Sequence, residues 1–262
     1  MSLQIRGLNK GFQVERAGWQ PVLRDLDLTV EPGEFVALIG HSGCGKSTLL
    51  NLVGGLLQPD SGSITVDGVV VKEPGPDRAM VFQTYSLLPR LSILDNVRYA
   101  ARAARPGRSR ELTDEISERY LTAVGLWEHR GKRPAQVSGG MAQRCAVARA
   151  FAVEPRVLLL DEPFGALDAL TRAKLQEQLV ELWSGESETE VVLMVTHGMD
   201  EAVLLADRVA VLAPPPGPSL MEVLAVPIPR PRDRRVLVDD PAFRAAQRAL
   251  ADLLERDDSA AA

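Results

Sequence analysis

A chain of 262 residues with 45% hydrophobic content is long enough for one substantial core, or one core with a subdomain. Its formal charge of −5 argues against a general nucleic-acid binder, whose surface would carry a basic excess. Two isolated cysteines, Cys44 and Cys145, suit neither a disulfide framework nor a zinc site, and they fit a reducing cytosol. The N-terminus lacks a basic segment followed by a long apolar run, as a signal peptide would show. The longest apolar runs, 157–160 and 191–195, fall far short of the ~20 residues that span a bilayer. A soluble chain is expected, with any membrane role supplied by a partner.

In chain order, Leu3 and Ile5, then Leu26, Leu28 and Val30, alternate with polar residues, the pattern of a partly exposed antiparallel sheet. Residues 34–40 read as a buried strand running into a glycine loop, and 47–57 as the following helix. Strand character returns over 62–71, with Asp67-Gly68 as a hairpin turn, and again over 78–83. From Ser92 the period changes: Ser92 with Asp95 resembles a capping box, and 100–104 and 111–124 carry helical spacing on either side of Pro106-Gly107. Residues of about 86–155 thus read as a helical subdomain inserted between strands of an α/β core. Strands resume at 157–161, 191–196 and 208–212, with a helix over 169–183. Residues 214–218 form a rigid proline turn. Asp240-Pro241 opens a last helix with Phe243, Ala246, Leu250 and Leu253 on one face.

The chemistry concentrates at strand ends. Gly40-His41-Ser42-Gly43-Cys44-Gly45-Lys46-Ser47 matches G-x-x-x-x-G-K-[ST] and stands after a buried strand and before a helix. Glycines let successive backbone N–H groups turn toward phosphate oxygens. Lys46 reaches the β- and γ-phosphates, Ser47 ligates Mg²⁺ and Thr48 bonds the α-phosphate. Cys44 reads as a small filler rather than a reactive thiol. The strand 157–161 ends in Asp161 and Glu162. Paired acids there often only cap a helix, but beside a phosphate loop Asp161 holds Mg²⁺ through water and Glu162 polarises the attacking water. His197 ends another strand and is placed to bond the γ-phosphate and orient Glu162 or its water. Gln83 can bond both the metal shell and water. Finally, Ser138-Gly139-Gly140 heads a helical pattern and offers a second anion seat. One full cradle and one extra half-site suggest ATP held between two subunits.

Together these motifs resemble the ATP-binding subunit of an ABC transporter, over essentially the whole chain up to about residue 212. The match comprises Gly40 to Thr48, Gln83, Ser138-Gly139-Gly140, Asp161-Glu162, Gly165-Ala166-Leu167-Asp168 and His197, in agreeing order and spacing. The resemblance implies a P-loop NTPase core with an antiparallel β subdomain and an inserted helical subdomain, residues 1–225 forming the ATP-binding domain and 226–262 a tail with a helix. It implies two copies, or a copy and a close paralogue, closed head to tail on two ATP molecules. Each signature then meets the other copy's γ-phosphate, with Asp168 at the interface. It also implies integral membrane permease subunits docked near residues 85–90, a solute-binding protein acting indirectly, no nucleic acid, and a peripheral place on the cytoplasmic face of the membrane. An aromatic residue stacks on adenine in this family. Phe12 is favoured over Trp19, the nine residues between Phe12 and Val22 reading as a flexible loop.

Within the family the chain looks most like the nitrate/sulfonate/taurine importers, through Gly75-Pro76-Asp77-Arg78 and Tyr85-Ser86-Leu87-Leu88-Pro89. His41 in the phosphate loop resembles the nitrate/nitrite and cyanate branch, where His often replaces Pro. The basic, proline-rich run 226–234 also looks like that group, although such a run can equally be a solvated linker. Met141, Ala142, Val137 and Gly198 depart from commoner residues, and none removes a catalytic group. A soluble repair or translation ATPase would carry two cassettes or a long coiled-coil insertion, and an exporter differs chiefly over 75–90. A P-loop kinase or GTPase needs no Ser138-Gly139-Gly140. A subunit without turnover would not need Glu162 and His197.

Overall fold

The computed structural model describes residues 2–15, 18–185, 187–230, 232–237 and 239–261. Residues 16 and 17 of the expected adenine loop, Pro231 of the proline-rich run and Ala262 of the tail lie outside them. The chain divides into two compact units: Met1–Pro74 with Val191–Ala262, and Gly75–Glu190.

In the first unit β1 (Leu3–Val14), β2 (Gly18–Val30), β4 (Ser61–Val66) and β5 (Val69–Val70) make an antiparallel sheet ordered β2-β1-β4-β5. Leu3, Ile5 and Leu8 of β1 and Leu23, Leu26, Leu28 and Val30 of β2 are buried, so alternation marks the core face. The flexible loop expected between Phe12 and Val22 is instead paired strand: Phe12 faces Gln20, Gln13 faces Trp19 and Val14 faces Gly18. Gly18 and Pro21 look like breakers, yet a register irregularity beside the Gly11–Pro21 pair accommodates the proline within the ladder.

A second sheet of this unit carries β3 (Phe35–Gly40), parallel to both β8 (Val191–Val195) and β9 (Arg208–Leu212). Every residue of β3 and β8 is buried, as the continuous apolar runs demand of parallel strands covered on both faces. β10 (Leu220–Ala225) adds antiparallel to β9. The helix after the glycine loop, α1 (Lys46–Val53), stops short of the expected residue 57, because Gly54-Gly55 ends it and Gly55 takes φ 73°. α6 (Met199–Leu205) and α7 (Arg234–Leu237) are short. α8 (Pro241–Ala261) buries Phe243, Ala246, Leu250 and Leu253, the face its spacing foretells, and packs on α6 and β9. Each large apolar side chain so buried is worth ~1.5–3 kcal/mol.

In the second unit β6 (Arg78–Val81) lies parallel to β7 (Val157–Asp161), with Val81 opposite Leu160. β6 closes two residues before Gln83, earlier than expected. Three helices, α2 (Ile93–Ala104), α3 (Arg110–Ala123) and α4 (Gly139–Ala152), pack on one another, and α5 (Ala169–Ser184) follows β7. Each begins at a polar cap: Ser92, Ser109, Ser138 and Asp168 accept hydrogen bonds from first-turn amides. Among the described residues no helix is long and apolar enough to cross a membrane.

Candidate nucleotide site

The residues singled out in the sequence fall into two groups, one in each unit. In the first unit β3 ends at Gly40, at the C-terminal end of the parallel strands, and β8 runs alongside with Leu38 opposite Val195. The Thr196 amide donates to the Leu38 carbonyl at 3.2 Å, so the phosphate loop and His197 leave the sheet at the same end. That is where parallel sheets gather ligands.

The loop is shaped by what it cannot tolerate. A Cβ at Gly40 would collide with the Leu212 carbonyl, and Gly45, at φ 97°, would press one to 2.6 Å from Leu23 Cδ2. Gly45 is also the N-cap of α1 and brings no side chain to its amides. The helix therefore presents its first N–H groups uncapped by any side chain, the arrangement that receives an anion. Lys46 is buried, with 5% of its surface exposed. Its Nζ donates to the carbonyls of Gly40 at 2.8 Å and His41 at 2.9 Å, and approaches Cys44 Sγ at 3.7 Å. Buried ammonium groups require such partners. Cys44 is itself fully buried, which fits a filler. Ser42, Gly43, Ser47 and Thr48 complete the loop and the first turn.

Phe12 and Trp19 both stand exposed on the β1–β2 hairpin. Lys10 Nζ sits 5.4 Å from the centre of the Phe12 ring, and the Trp19 ring covers Gly11 so closely that a Cβ there would meet it at 2.6 Å. Farther along β2, Val22 and Leu23 back the phosphate loop at Gly45.

In the second unit the parallel pairing of β6 and β7 brings Gln83 and Glu162 out together. Gln83 Nε2 donates to Glu162 Oε2 at 2.9 Å. Asp161 closes β7, and Glu162 follows it in the left-handed region at φ 46°, a conformation costly for a residue with a side chain. Ser138 caps α4, its Oγ accepting from Met141 N at 3.3 Å, and keeps its own O–H to donate elsewhere. Gly139 lies against the Tyr85 hydroxyl, 2.7 Å from where a Cβ would stand, and Gly140 lies equally close to Thr171 Cγ2. Asp168 caps α5 by accepting from Leu170 N at 3.1 Å and Thr171 N at 3.0 Å. The hydrogen bond from the Thr171 side chain, then those from these amides, hold its carboxyl below the usual range.

Several supporting residues carried no sequence signal. Arg149 of α4 donates to the Ser86 carbonyl at 2.7 Å and the Tyr85 carbonyl at 3.3 Å, fixing the segment after Gln83 to the signature helix. Arg144 donates to the Val124 carbonyl at 3.1 Å. A cavity of about 450 Å³ lies between residues 84–87 and the approach to α4, including Pro134, Val137 and Ser138. Burial pushes the Cys145 thiol of α4 up to about 12, so it serves as packing. A lone arginine at helical spacing looks the same in sequence whether it serves a backbone carbonyl or solvent.

Comparisons with known proteins fit this geometry. A family model described as ABC transporter matches residues 23–165. The nitrate import ATP-binding protein NrtD of Synechococcus elongatus is 50% identical over 249 residues, covering 95% of this chain and 90% of that protein. The bicarbonate transport ATP-binding protein CmpD of Synechocystis sp. is 46% identical over 241 residues, covering 92% and 84%. Among solved structures, the dimeric ATP-binding cassette MJ0796 in a post-hydrolysis state bound to ADP and Pi superimposes with a TM-score of 0.75 at 28% identity. That match covers 85% of this chain and 98% of the other.

Proposed function

Since the chain belongs to the ABC transporter family as an ATP-hydrolysing subunit of importer type, we propose that it energises uptake of a small oxyanion, nitrate or nitrite first. The family resemblance also admits cyanate, sulfonates and taurine. The relatives add bicarbonate, which the sequence did not suggest.

The observation that carries the reading is the phosphate loop: a buried lysine folded among backbone carbonyls at the uncapped start of α1. Its glycine-shaped cradle fits ATP, with Ser47 and, through water, Asp161 as the oxygen donors that suit Mg²⁺. Bound Mg²⁺ supplies neutralisation of charge on the phosphate oxygens. The chain's own groups do the rest. Lys46 exchanges carbonyl partners for phosphate oxygens, and the first amides of α1 receive the same anion. Glu162 accepts the proton of the attacking water, Gln83 steadies its carboxylate, and His197 bonds the γ-phosphate. A second ATP-binding subunit, identical or a close paralogue, brings its Ser138, Gly139 and Gly140 to that phosphate, with Asp168 at the interface. Closure is then favoured because ATP contacts both subunits only in the closed form. Permease subunits dock beside residues 85–90, at the cavity against α4, which keeps the chain peripheral on the cytoplasmic face. A solute-binding protein outside the membrane chooses the cargo.

Replacing the proposed base tests the scheme. Glu162→Gln should lower ATP turnover by about 10²- to 10⁴-fold, the usual worth of a general base, while ATP drives a stable dimer visible by light scattering. Turnover at the native rate with no ATP-dependent dimer refutes the assignment. Solute binding by the receptor of the co-purified complex decides among the oxyanions.

A further inference from the structure

The tail beyond β10 is not accounted for by hydrolysis, yet it touches the phosphate loop and α6, the helix that follows His197. Its far end reaches the phosphate loop: His41 Nε2 lies 3.2 Å from the carbonyl oxygen of Leu254 in α8. A carbonyl only accepts, so Nε2 carries the hydrogen and donates it. The backbone carbonyl of the same His41 receives Lys46 Nζ. One residue therefore has its ring on the C-terminal helix and its main chain on the phosphate-reaching cation.

The near end grips α6, which begins two residues after His197. The side chain of Arg232, 3% exposed, donates from Nη1 to the carbonyls of Val203 at 2.9 Å and Ala206 at 2.7 Å, closing the C-terminus of that helix. Arg230 Nη2 donates to Asp207 Oδ2 at 2.6 Å, and that oxygen also accepts from the amide of Phe35, where β3 starts toward the loop. Gln247 of α8 donates to Asp200 in the first turn of α6. Between these ties α8 is seated by Phe243, Ala246, Leu250 and Leu253.

We infer that the C-terminal segment is a positioning strap for nucleotide binding, in which Leu254 of α8 holds His41 and thereby presets the phosphate loop. His41 is a positioning residue, acting through Lys46 and the loop amides rather than on the reacting atoms. The inference rests on the phosphate-loop reading and deepens it. A hydrogen bond of ordinary net worth sets the scale: losing it should weaken nucleotide binding about three- to tenfold.

The test uses the full chain and its His41→Ala and His41→Gln variants, with ADP affinity by calorimetry and amide hydrogen exchange of residues 41–47 without nucleotide. His41→Ala should weaken ADP binding by that factor and speed exchange in the loop, and His41→Gln, whose amide can still donate, should recover most of both. Deleting residues 254–262, which keeps Phe243, Ala246, Leu250 and Leu253, should reproduce His41→Ala. Combining the two should add nothing. If the deletion unfolds the chain, the alanine and glutamine pair decides alone. Native affinity and native exchange in His41→Ala overturn the strap, as do multiplicative losses in the combined variant. Failure of the unaltered chain to bind ADP would instead defeat the nucleotide-site reading, and exchange in the ligand-free chain still reports on the strap.

Discussion

Two helices of this chain begin at glycine-rich starts proposed as anion seats, and they begin differently. α1 starts at Gly45 with no side chain on its amides and a buried lysine beside them, whereas α4 starts at Ser138, whose hydroxyl already serves Met141 N. The first seat is finished by its own fold: glycines fix the loop, Val22 and Leu23 back it, and Lys46 has protein partners in advance. The second has a helix start and a hydroxyl proton, and its nearest cation, Arg144, is turned to the Gly140 and Val124 carbonyls. The contrast suits the separate jobs proposed above, one seat binding nucleotide within a subunit and the other completing a site in the partner.

The sharpest way to break this contrast is Lys46→Ala. Charge-assisted hydrogen bonds are worth ~1.5–3 kcal/mol, so ADP affinity of the single chain should fall about 10- to 100-fold by calorimetry. An unchanged affinity would remove the distinction between the seats. A smaller effect is expected from Ser138→Ala. It should leave ADP affinity of the single chain alone while weakening the ATP-dependent dimer of the Glu162→Gln protein by about tenfold in sedimentation. Loss of ADP binding by the isolated chain would place Ser138 in the wrong seat.

The smallest effect concerns Asp168, the cap of α5. Its carboxyl titrates below 3.8, the ordinary value, because the Thr171 hydroxyl and nearby amides favour the ionised form. Its stabilisation is therefore fully present above 3.8 and lost as pH falls through the lower folded value. Asp168→Ala should shift the denaturation midpoint at neutral pH, and the difference from the native chain should vanish in acid. A difference that persists at low pH would mean that packing, rather than the ionised cap, carries it.

Much of the core grammar could be read from residues alone. The apolar run into Gly40, the acid pair closing β7 and the four-residue face of α8 each carry a local signal strong enough to survive tertiary context. The hairpin carrying Phe12 and Trp19 did not, because Gly18 and Pro21 signal a break that cross-strand pairing overrides. Neither α6 nor β10 was foreseen. Seven residues give too little periodicity for a helix, and the half-exposed LMEVLA of β10 becomes a strand only by pairing with β9. At the site, residue types and order were legible, but the Gln83–Glu162 hydrogen bond and the His41–Leu254 tie were not. Each joins groups far apart in sequence through elements whose register sequence does not state.

The left-handed backbone of Glu162 has a consequence for how this chain can drift. A glycine there would relieve a conformational penalty of order 1–3 kcal/mol and fold more readily. Asp25, Asp67, Ser86 and Glu154 share this backbone region, so selection for foldedness alone would favour glycine at all five positions, and at 162 it would remove the proposed base. On the proposed scheme a carboxylate at 162 is kept by selection for turnover, against the backbone preference for glycine.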